Sequence, residues 1–169
     1  MTDEHDEVLR RRREWFQEYM SRLDVGVLKP KSAGVKYDCP CCGYATLEER
    51  GGYEGCWLCG WEDDGQDDPH ADEVWGGPNY QLSLSEARRN FKAYLNKFAP
   101  ETNRNILPDS EVEQASKRRA MQAFDLMRQA TDEAEIRRLW SAAEQEEAFL
   151  YSELVRRLYQ WEKEQRKLG

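Results

Sequence analysis

The chain has 169 residues, enough for one compact domain or for a small domain with an added element. Its 25 basic and 33 acidic side chains leave a net charge of −8, which argues against a non-specific nucleic-acid binder and favours a basic macromolecular partner. No apolar stretch approaches the roughly 18 residues that cross a bilayer, the first residues are acidic where a secretory leader is basic and then apolar, and an aromatic content of 11% sets the chain apart from disordered compositions, so a cytoplasmic globular protein is expected.

Residues 4–24 carry Leu9, Phe16, Met20 and Leu23 at helical spacing, widened by Val8, Trp15 and Tyr19. The run Arg10 to Arg13 interrupts this stripe and reads as solvated helix surface. Asp24-Val25-Gly26 and Lys29-Pro30 end the helix. Residues 35–62 change character. Val35-Lys36-Tyr37, Tyr44 to Leu47 and Gly52-Tyr53-Glu54 are short strand-type runs, with a turn at Arg50-Gly51-Gly52. Residues 62–80 read as a loop without helical or strand period.

Ser83 and Glu86 have capping-box spacing and predict a helix with Leu84, Ala87, Phe91, Tyr94, Leu95 and Phe98 on its apolar side, stopped by Pro100. Ser110 and Glu113 repeat that spacing and open a helix to about Ala130, with Val112, Ala115, Ala123, Leu126, Met127 and Ala130 on one side. Thr131-Asp132 breaks it. Residues 133–167 read as one long helix with Ile136, Leu139, Trp140, Ala143, Leu150, Leu154, Leu158 and Trp161 as core or dimer seam. The expected fold is α+β: a small zinc-ribbon-like β module embedded in a mostly helical chain with a long C-terminal helical hairpin. Its expected parts are an N-terminal helix (1–30), a cysteine-rich module with acidic loop and following helix (35–99), and the hairpin (110–169).

All five cysteines fall between Cys39 and Cys59. Cys39-Pro40-Cys41-Cys42-Gly43 and Cys56-Trp57-Leu58-Cys59-Gly60 each hold a Cys-x-x-Cys followed by glycine. Such a turn aims two thiolates at one point, and the glycine lets the backbone curl back. Two turns complete a tetrahedral site, so Cys39, Cys42, Cys56 and Cys59 are the expected ligands of a structural zinc ion. Iron in the same cage is the minor option. A thiol-redox reading of Cys39-Pro40-Cys41-Cys42 would need a βαβ frame and a helix start, and neither is apparent. Cys41 reads as a small residue inside the first turn and His70 as a solvated loop histidine.

The segment 62–73 holds seven carboxylates and no base. It reads as a solvated loop, as a hard-cation site, or as a docking surface for a basic protein, with Trp61, Glu62, Asp63, Asp64, Asp67, Asp68, Asp72, Glu73 and Trp75 as contact residues. Its spacing does not match a calcium-binding helix-loop-helix. No nucleophile–histidine set or phosphate-cradling loop supports an enzyme.

Cys39 to Tyr44, Thr46-Leu47, Arg50-Gly51, Tyr53-Glu54 and Cys56 to Cys59 resemble the bacterial cysteine-rich CPCC family. So do Trp61 to Asp67, Gly76-Gly77-Pro78-Asn79 and Ser83 to Phe91. The resemblance covers about residues 37–98 and neither the N-terminal helix nor the C-terminal helices. It implies a small cysteine-rich fold in which the acidic loop and the Gly76–Asn79 turn belong to the metal module. It also raises an association with bacterial toxin–immunity loci, of the toxin–antitoxin kind. The resulting expectation is a non-enzymatic, zinc-stabilised protein-binding module, in its most concrete form an immunity protein masking a cationic toxin domain. A nucleic-acid-binding or transcription-associated zinc ribbon is the first rival, with Arg10–Arg13, Lys117–Arg119, Arg137-Arg138 and Arg156-Arg157 as its basic patches. A thiol-redox or hydrolytic enzyme is the second. Homodimerisation through the C-terminal helices is a further expectation.

Overall fold

The computed structural model describes residues 4–24, 35–102 and 108–168. It is mostly helical with one small antiparallel sheet, an α+β arrangement. The elements are α1 (Glu4–Asp24), β1 (Tyr37–Asp38), β2 (Ala45–Leu47), α2 (Leu84–Tyr94), α3 (Glu111–Met127) and α4 (Glu133–Leu168). The chain divides into two compact units, Met1–Leu107 and Pro108–Gly169. The N-terminal helix and the cysteine-rich segment, expected as separate parts, therefore share one unit. No described helix is long and apolar enough to cross a membrane.

In the first unit, β1 and β2 pair antiparallel with Tyr37 opposite Leu47 and Asp38 opposite Ala45, and the register shifts between them. The two cysteine turns repeat one backbone pattern. In the first, the Gly43 amide donates to the Cys39 carbonyl at 2.8 Å and the Cys39 amide to the Tyr44 carbonyl at 2.9 Å; in the second, Gly60 donates to Cys56 and Cys56 to Trp61, both at 2.8 Å. Gly43 and Gly60 have φ of 79° and 82°, which only glycine adopts without strain. The expected strand at 52–54 does not form. Tyr53 has φ 63°, which breaks an extended run, and this segment pairs across the second turn: Tyr53 donates to the Asp63 carbonyl and Asp63 to the Glu54 carbonyl, both at 2.9 Å.

The segment expected to be structureless is ordered by its own side chains. Short 3-10 turns stand at Asp68–His70 and Gly77–Asn79, and the Gln66 side-chain amide donates to the carbonyls of His70 and Glu73 at 2.6 Å each. The Ser83 hydroxyl caps α2 by accepting from the Glu86 amide at 3.1 Å. The helix ends at Tyr94, earlier than the Pro100 stop. Leu95 takes the left-handed conformation, φ 58°, and the chain folds back so that the Lys97 amide donates to the Cys59 carbonyl at 2.7 Å.

Leu9, Phe16, Tyr19 and Met20 of α1 are buried, as are Tyr44, Leu47, Leu58, Trp61, Leu84 and Phe91. Phe16 meets Tyr44 edge-on at 6.2 Å. Burying each large side chain contributes about 1.5–3 kcal/mol, so this small core carries α1 as an integral part. Of the residues expected to widen the α1 stripe, Trp15 stacks on Tyr19 at 5.2 Å, whereas Val8 is exposed.

In the second unit, α3 and α4 are antiparallel. Phe124 meets Trp140 at 5.9 Å, the Ser116 hydroxyl donates to Glu146 at 2.6 Å, and Glu113 pairs with Arg157. The buried side of α3 is Glu113, Ser116, Lys117, Ala120, Ala123, Phe124 and Met127, so Val112 and Leu126 of the expected stripe are exposed. The stripe is displaced because three of its positions hold polar groups with specific partners, including Lys117 with Asp109 at 2.5 Å. On α4 burial runs from Ile136 through Leu139 and Ala143 to Leu150 and stops there; Leu154, Leu158 and Trp161 are exposed.

The glycines of the two turns differ in one respect. A Cβ on Gly43 would stand 2.7 Å from Leu9 Cδ1 and 3.1 Å from Arg12 Cδ on α1, while one on Gly60 would meet nothing closer than 3.9 Å. Gly43→Ala should therefore lower unfolding free energy by about 2–4 kcal/mol, from the left-handed backbone plus the displaced helix, and Gly60→Ala by about 1–2 kcal/mol from the backbone alone. Urea denaturation of the two variants checks the difference.

Candidate metal centre

The twin turns bring Cys39, Cys42, Cys56 and Cys59 together, and one sulfur from each lies within 4.8 Å of the other three. All four are buried. Cys39 and Cys59 are 3.7 Å apart sulfur to sulfur, as are Cys42 and Cys56, and all five cysteines are free thiols. The Thr46 hydroxyl lies 2.9 Å from Cys56 Sγ, and the Trp61 amide donates to Cys59 Sγ at 3.4 Å. Burial pushes the thiols of Cys39, Cys42 and Cys59 well up. Burial opposes ionisation of Cys56 too, but hydrogen bonds from the other three sulfurs and from Thr46 outweigh it and hold that thiol well below its usual range. Four buried, close sulfurs resist carrying charge together, and a bound cation removes that resistance. The centre is a metal-binding arrangement of four cysteines. Cys41 is buried outside this group, and burial raises its thiol.

Basic side chains hold the backbone around the sulfurs. Arg12 Nη1 donates to the Cys42 carbonyl at 2.7 Å, with its guanidinium 4.1 Å over the Tyr44 ring. Arg88 Nε donates to the Pro40 carbonyl at 2.9 Å. Lys97 is buried, its ammonium 3.0 Å from Asn79 Oδ1 and 4.0 Å from Glu62. Burial pulls that ammonium below the ordinary lysine range, against the opposing pull of Glu62 and the sulfurs of Cys59 and Cys41.

Arg13 is the clamp of the unit. Its Nε donates to Asp38 at 2.5 Å, and its terminal nitrogens reach Asp67 at 2.8 and 3.1 Å and Asp68 at 3.3 Å. Arg50 continues the chain of charges, to Asp63 at 2.7 Å and Asp67 at 2.9 Å. Burial opposes both charges of the Arg13–Asp67 pair, but their mutual hydrogen bonds outweigh it: the Asp67 carboxyl lies well below the usual carboxylate range and Arg13 well above the usual guanidinium range. The basic run expected as solvated surface is thus divided. Arg12 and Arg13 point into the module, while Arg10 and Arg11 pair with Glu7 on the exposed side. Four successive helical residues cover a full turn, so some of them had to face inwards.

The residues expected to contact a partner separate in the same way. Trp61 and Asp63 are fully buried and present no surface, which corrects their assignment. Trp61 fills the core behind the second turn. Asp63 is an internal acceptor, bonded to Arg50 and to the amides of Gly51 at 2.7 Å and Gly65 at 3.3 Å. Asp64 accepts from the Gln66 amide at 3.0 Å, and Asp67 caps the first 3-10 turn. Asp68, Asp72, Glu73 and Trp75 are exposed, and Glu62 is half-buried. Asp68 pairs with Arg88 at 2.6 Å and Asp72 accepts from Ser85 at 2.5 Å. Glu73 accepts from Trp75 Nε1 at 2.9 Å and lies 3.1 Å from His70 Nδ1. His70 is on the surface, away from the sulfurs.

Sequence reasoning missed Arg12, Arg13, Arg50, Arg88 and Lys97 as members of this centre. The signal for all five was the excess of acids in 62–73, which a folded module must meet with cations from elsewhere; Arg50 and Arg88 also stand in the segments that resemble the cysteine-rich family.

Residues 37–105 match the family model described as Cysteine-rich CPCC. The match holds both cysteine turns, the acidic segment and α2, and it leaves α1, α3 and α4 outside. No curated protein and no solved structure matches the chain.

Arg13→Ala should lower the unfolding free energy of the metal-loaded chain by about 3–5 kcal/mol, because Asp38 keeps its burial and loses its counter-charge while half-buried Asp67 is left with Arg50 alone. Arg10→Ala, at an exposed and solvent-screened pair, should leave the unfolding transition where it is. Equal losses in the two variants would show that the clamp carries no special weight.

Proposed function

We propose that the chain is a non-enzymatic binding protein in which one structural zinc ion, held by Cys39, Cys42, Cys56 and Cys59, fixes an acidic and aromatic surface for a basic protein partner. The observation that carries the metal half is the sulfur spacing. Four sulfurs placed about 2.3 Å from a tetrahedral zinc ion stand about 3.8 Å apart, and the two bonded pairs are at 3.7 Å. Four thiolates close the coordination shell and leave no position for a substrate, so the ion's role is structural. So small a sheet gives little folding energy of its own, and a metal-thiolate site provides it.

The partner half rests on what the module leaves outside. Seven carboxylates between 62 and 73 are met by Arg13, Arg50, Arg88 and Lys97, so negative charge remains in excess. Beside the acids Val74, Trp75 and Tyr80 are exposed. The Trp75 indole is tied to Glu73, which presents the ring in one orientation and lowers the cost of ordering it on contact. An apolar anchor within a field of one sign suits recognition of an oppositely charged surface. Immunity against a cationic toxin domain is the concrete form of this reading. The arginines that a nucleic-acid-binding ribbon would use are engaged with carboxylates at Arg13, Arg119, Arg138, Arg156 and Arg157, which favours the protein-binding reading.

Purified protein should contain one zinc ion per chain by elemental analysis. Chelation, or Cys56→Ser, should abolish the cooperative thermal transition of the first unit. Stoichiometric metal-free protein with an unchanged transition would remove the metal half. Trp75→Ala with Glu73→Gln should weaken a basic partner at least about tenfold, or about 1.4 kcal/mol, in titration calorimetry while leaving zinc content unchanged. Tight binding of duplex DNA at physiological salt by the same protein would favour the nucleic-acid reading instead.

A further inference from the structure

Two cations stand at the cysteine turns, one at each, and neither is held by a close carboxylate. Arg12 serves the first turn. Its Nη1 donates to the Cys42 carbonyl at 2.7 Å, its Cδ lies beside Gly43, and its guanidinium rests 4.1 Å over the buried Tyr44 ring. Among the described residues it has no carboxylate partner. Lys97 serves the second turn. Its amide donates to the Cys59 carbonyl at 2.7 Å, its stem lies beside Gly60, and the residue is only 4% exposed. The ammonium donates to Asn79 Oδ1 at 3.0 Å and to the Pro78 carbonyl at 3.3 Å, and it stands 5.0 Å from the Phe98 ring centre. These groups satisfy its donors and carry no charge. Glu62, at 4.0 Å and 42% exposed, is at the outer limit of a pair and is screened by water. The other cations of the module are placed differently: Arg13, Arg50 and Arg88 each have a carboxylate within 2.7 Å.

A buried ammonium is stable only where an anion answers it. Four thiolates around a divalent ion leave two negative charges in excess, and a buried centre needs nearby cations to offset them. Burial opposes the charge of Lys97, and Glu62, the sulfurs of Cys59 and Cys41, and Asp64 favour it. We propose that Lys97 and Arg12 are the counter-charges of the metal centre, positioning residues that together offset its two excess negative charges without ligating the ion. This role rests on the metal reading above and adds how such a centre is kept neutral inside an acidic chain. The count agrees, with one cation per turn and two charges to offset. It also gives the Gly77–Asn79 turn a duty. Asn79 is buried, accepts from the Glu62 amide at 3.1 Å and donates to the Glu62 carbonyl at 2.7 Å, so it fastens this turn beside the second cysteine turn and holds the ammonium there. A site balanced in this way favours a divalent ion, because a trivalent one would leave a cation unanswered.

Chelator competition on the full chain measures zinc affinity, and the iron-reconstituted chain reports charge directly. Reduction of iron among four thiolates adds one negative charge, so a nearby cation raises the midpoint potential. Lys97→Met keeps the stem and removes the charge. It should lower zinc affinity at least about tenfold and move the ferric/ferrous midpoint downwards by about 59 mV, the equivalent of tenfold. Lys97→Arg should restore both, and Arg12→Met should move both in the same direction as Lys97→Met. The Lys97→Met effect should persist in a Glu62→Gln background. Lost affinity with an unmoved midpoint would mean that Lys97 only packs, and would overturn the proposal. An effect that vanishes with Glu62→Gln would overturn it too, since the ammonium would then answer Glu62. A parent chain that takes up no metal sinks the metal reading and this role together, whereas a parent that binds zinc no tighter than Lys97→Met sinks this role alone.

Discussion

One guanidinium joins three stretches of chain that are far apart in sequence. Arg13, on α1, holds Asp38 at the end of β1 and Asp67 and Asp68 at the start of the first 3-10 turn. A buried arginine is tolerable only if its donors are used and its charge is balanced, and the three carboxylates do both. The requirement runs in the other direction as well. Asp38 is buried and Asp67 is half-buried, and carboxylates so placed need a cation alongside to offset the water they have lost. The position of α1 on the cysteine module is therefore set by charge as well as by the packing of Phe16 and Leu9. A displaced helix would leave buried Asp38 without a counter-charge and half-buried Asp67 with Arg50 alone.

That constraint explains how the sulfurs are kept in place. Each cysteine turn holds peptide carbonyls of buried residues that need donors. Around the first turn they are provided by side chains, Arg12 to Cys42 and Arg88 to Pro40; around the second by the backbone amide of Lys97 to Cys59. The first turn is thereby coupled to α1 and α2, and the second to the chain reversal after α2. The two turns share one hydrogen-bonding pattern yet depend on different parts of the unit. Gly43 lies where the pattern and the helix meet, and for this reason it lacks the room that Gly60 has.

Much of this was legible in the residues. The α1 stripe, both Ser-x-x-Glu helix starts, the break at Thr131-Asp132 and the pairing of the two cysteine turns are local features, and local chemistry determines them. What the residues did not reveal was long-range. Tyr53 and Leu95 adopt left-handed backbone that neither residue type prefers, so a strand and a helix end were misplaced. Each exception exists because a distant backbone group, the Asp63 carbonyl or the Cys59 carbonyl, needs a donor at that place. The α3 stripe failed for a related reason. Hydrophobic spacing cannot anticipate that Glu113, Ser116 and Lys117 are buried, since their burial depends on Arg157, Glu146 and Asp109 arriving from other segments.

The acidic segment shows the same rule from the side of function. Read as composition it is a single patch of negative charge. In the folded module its charges have different duties: Asp63 and Asp67 are interior acceptors, Asp64 and Asp72 fasten turns, and only part of the set faces outwards. A patch whose carboxylates all pointed to solvent would repel itself and lose its shape. By turning some acids inwards onto Arg13 and Arg50, the module lowers that repulsion and makes the backbone rigid. The charge left on the surface is thus smaller than the sequence suggests, and it is held on a more fixed frame. For the basic partner we propose, the orientation of a few groups on such a frame, above all Trp75 braced by Glu73, matters more for selectivity than the number of charges.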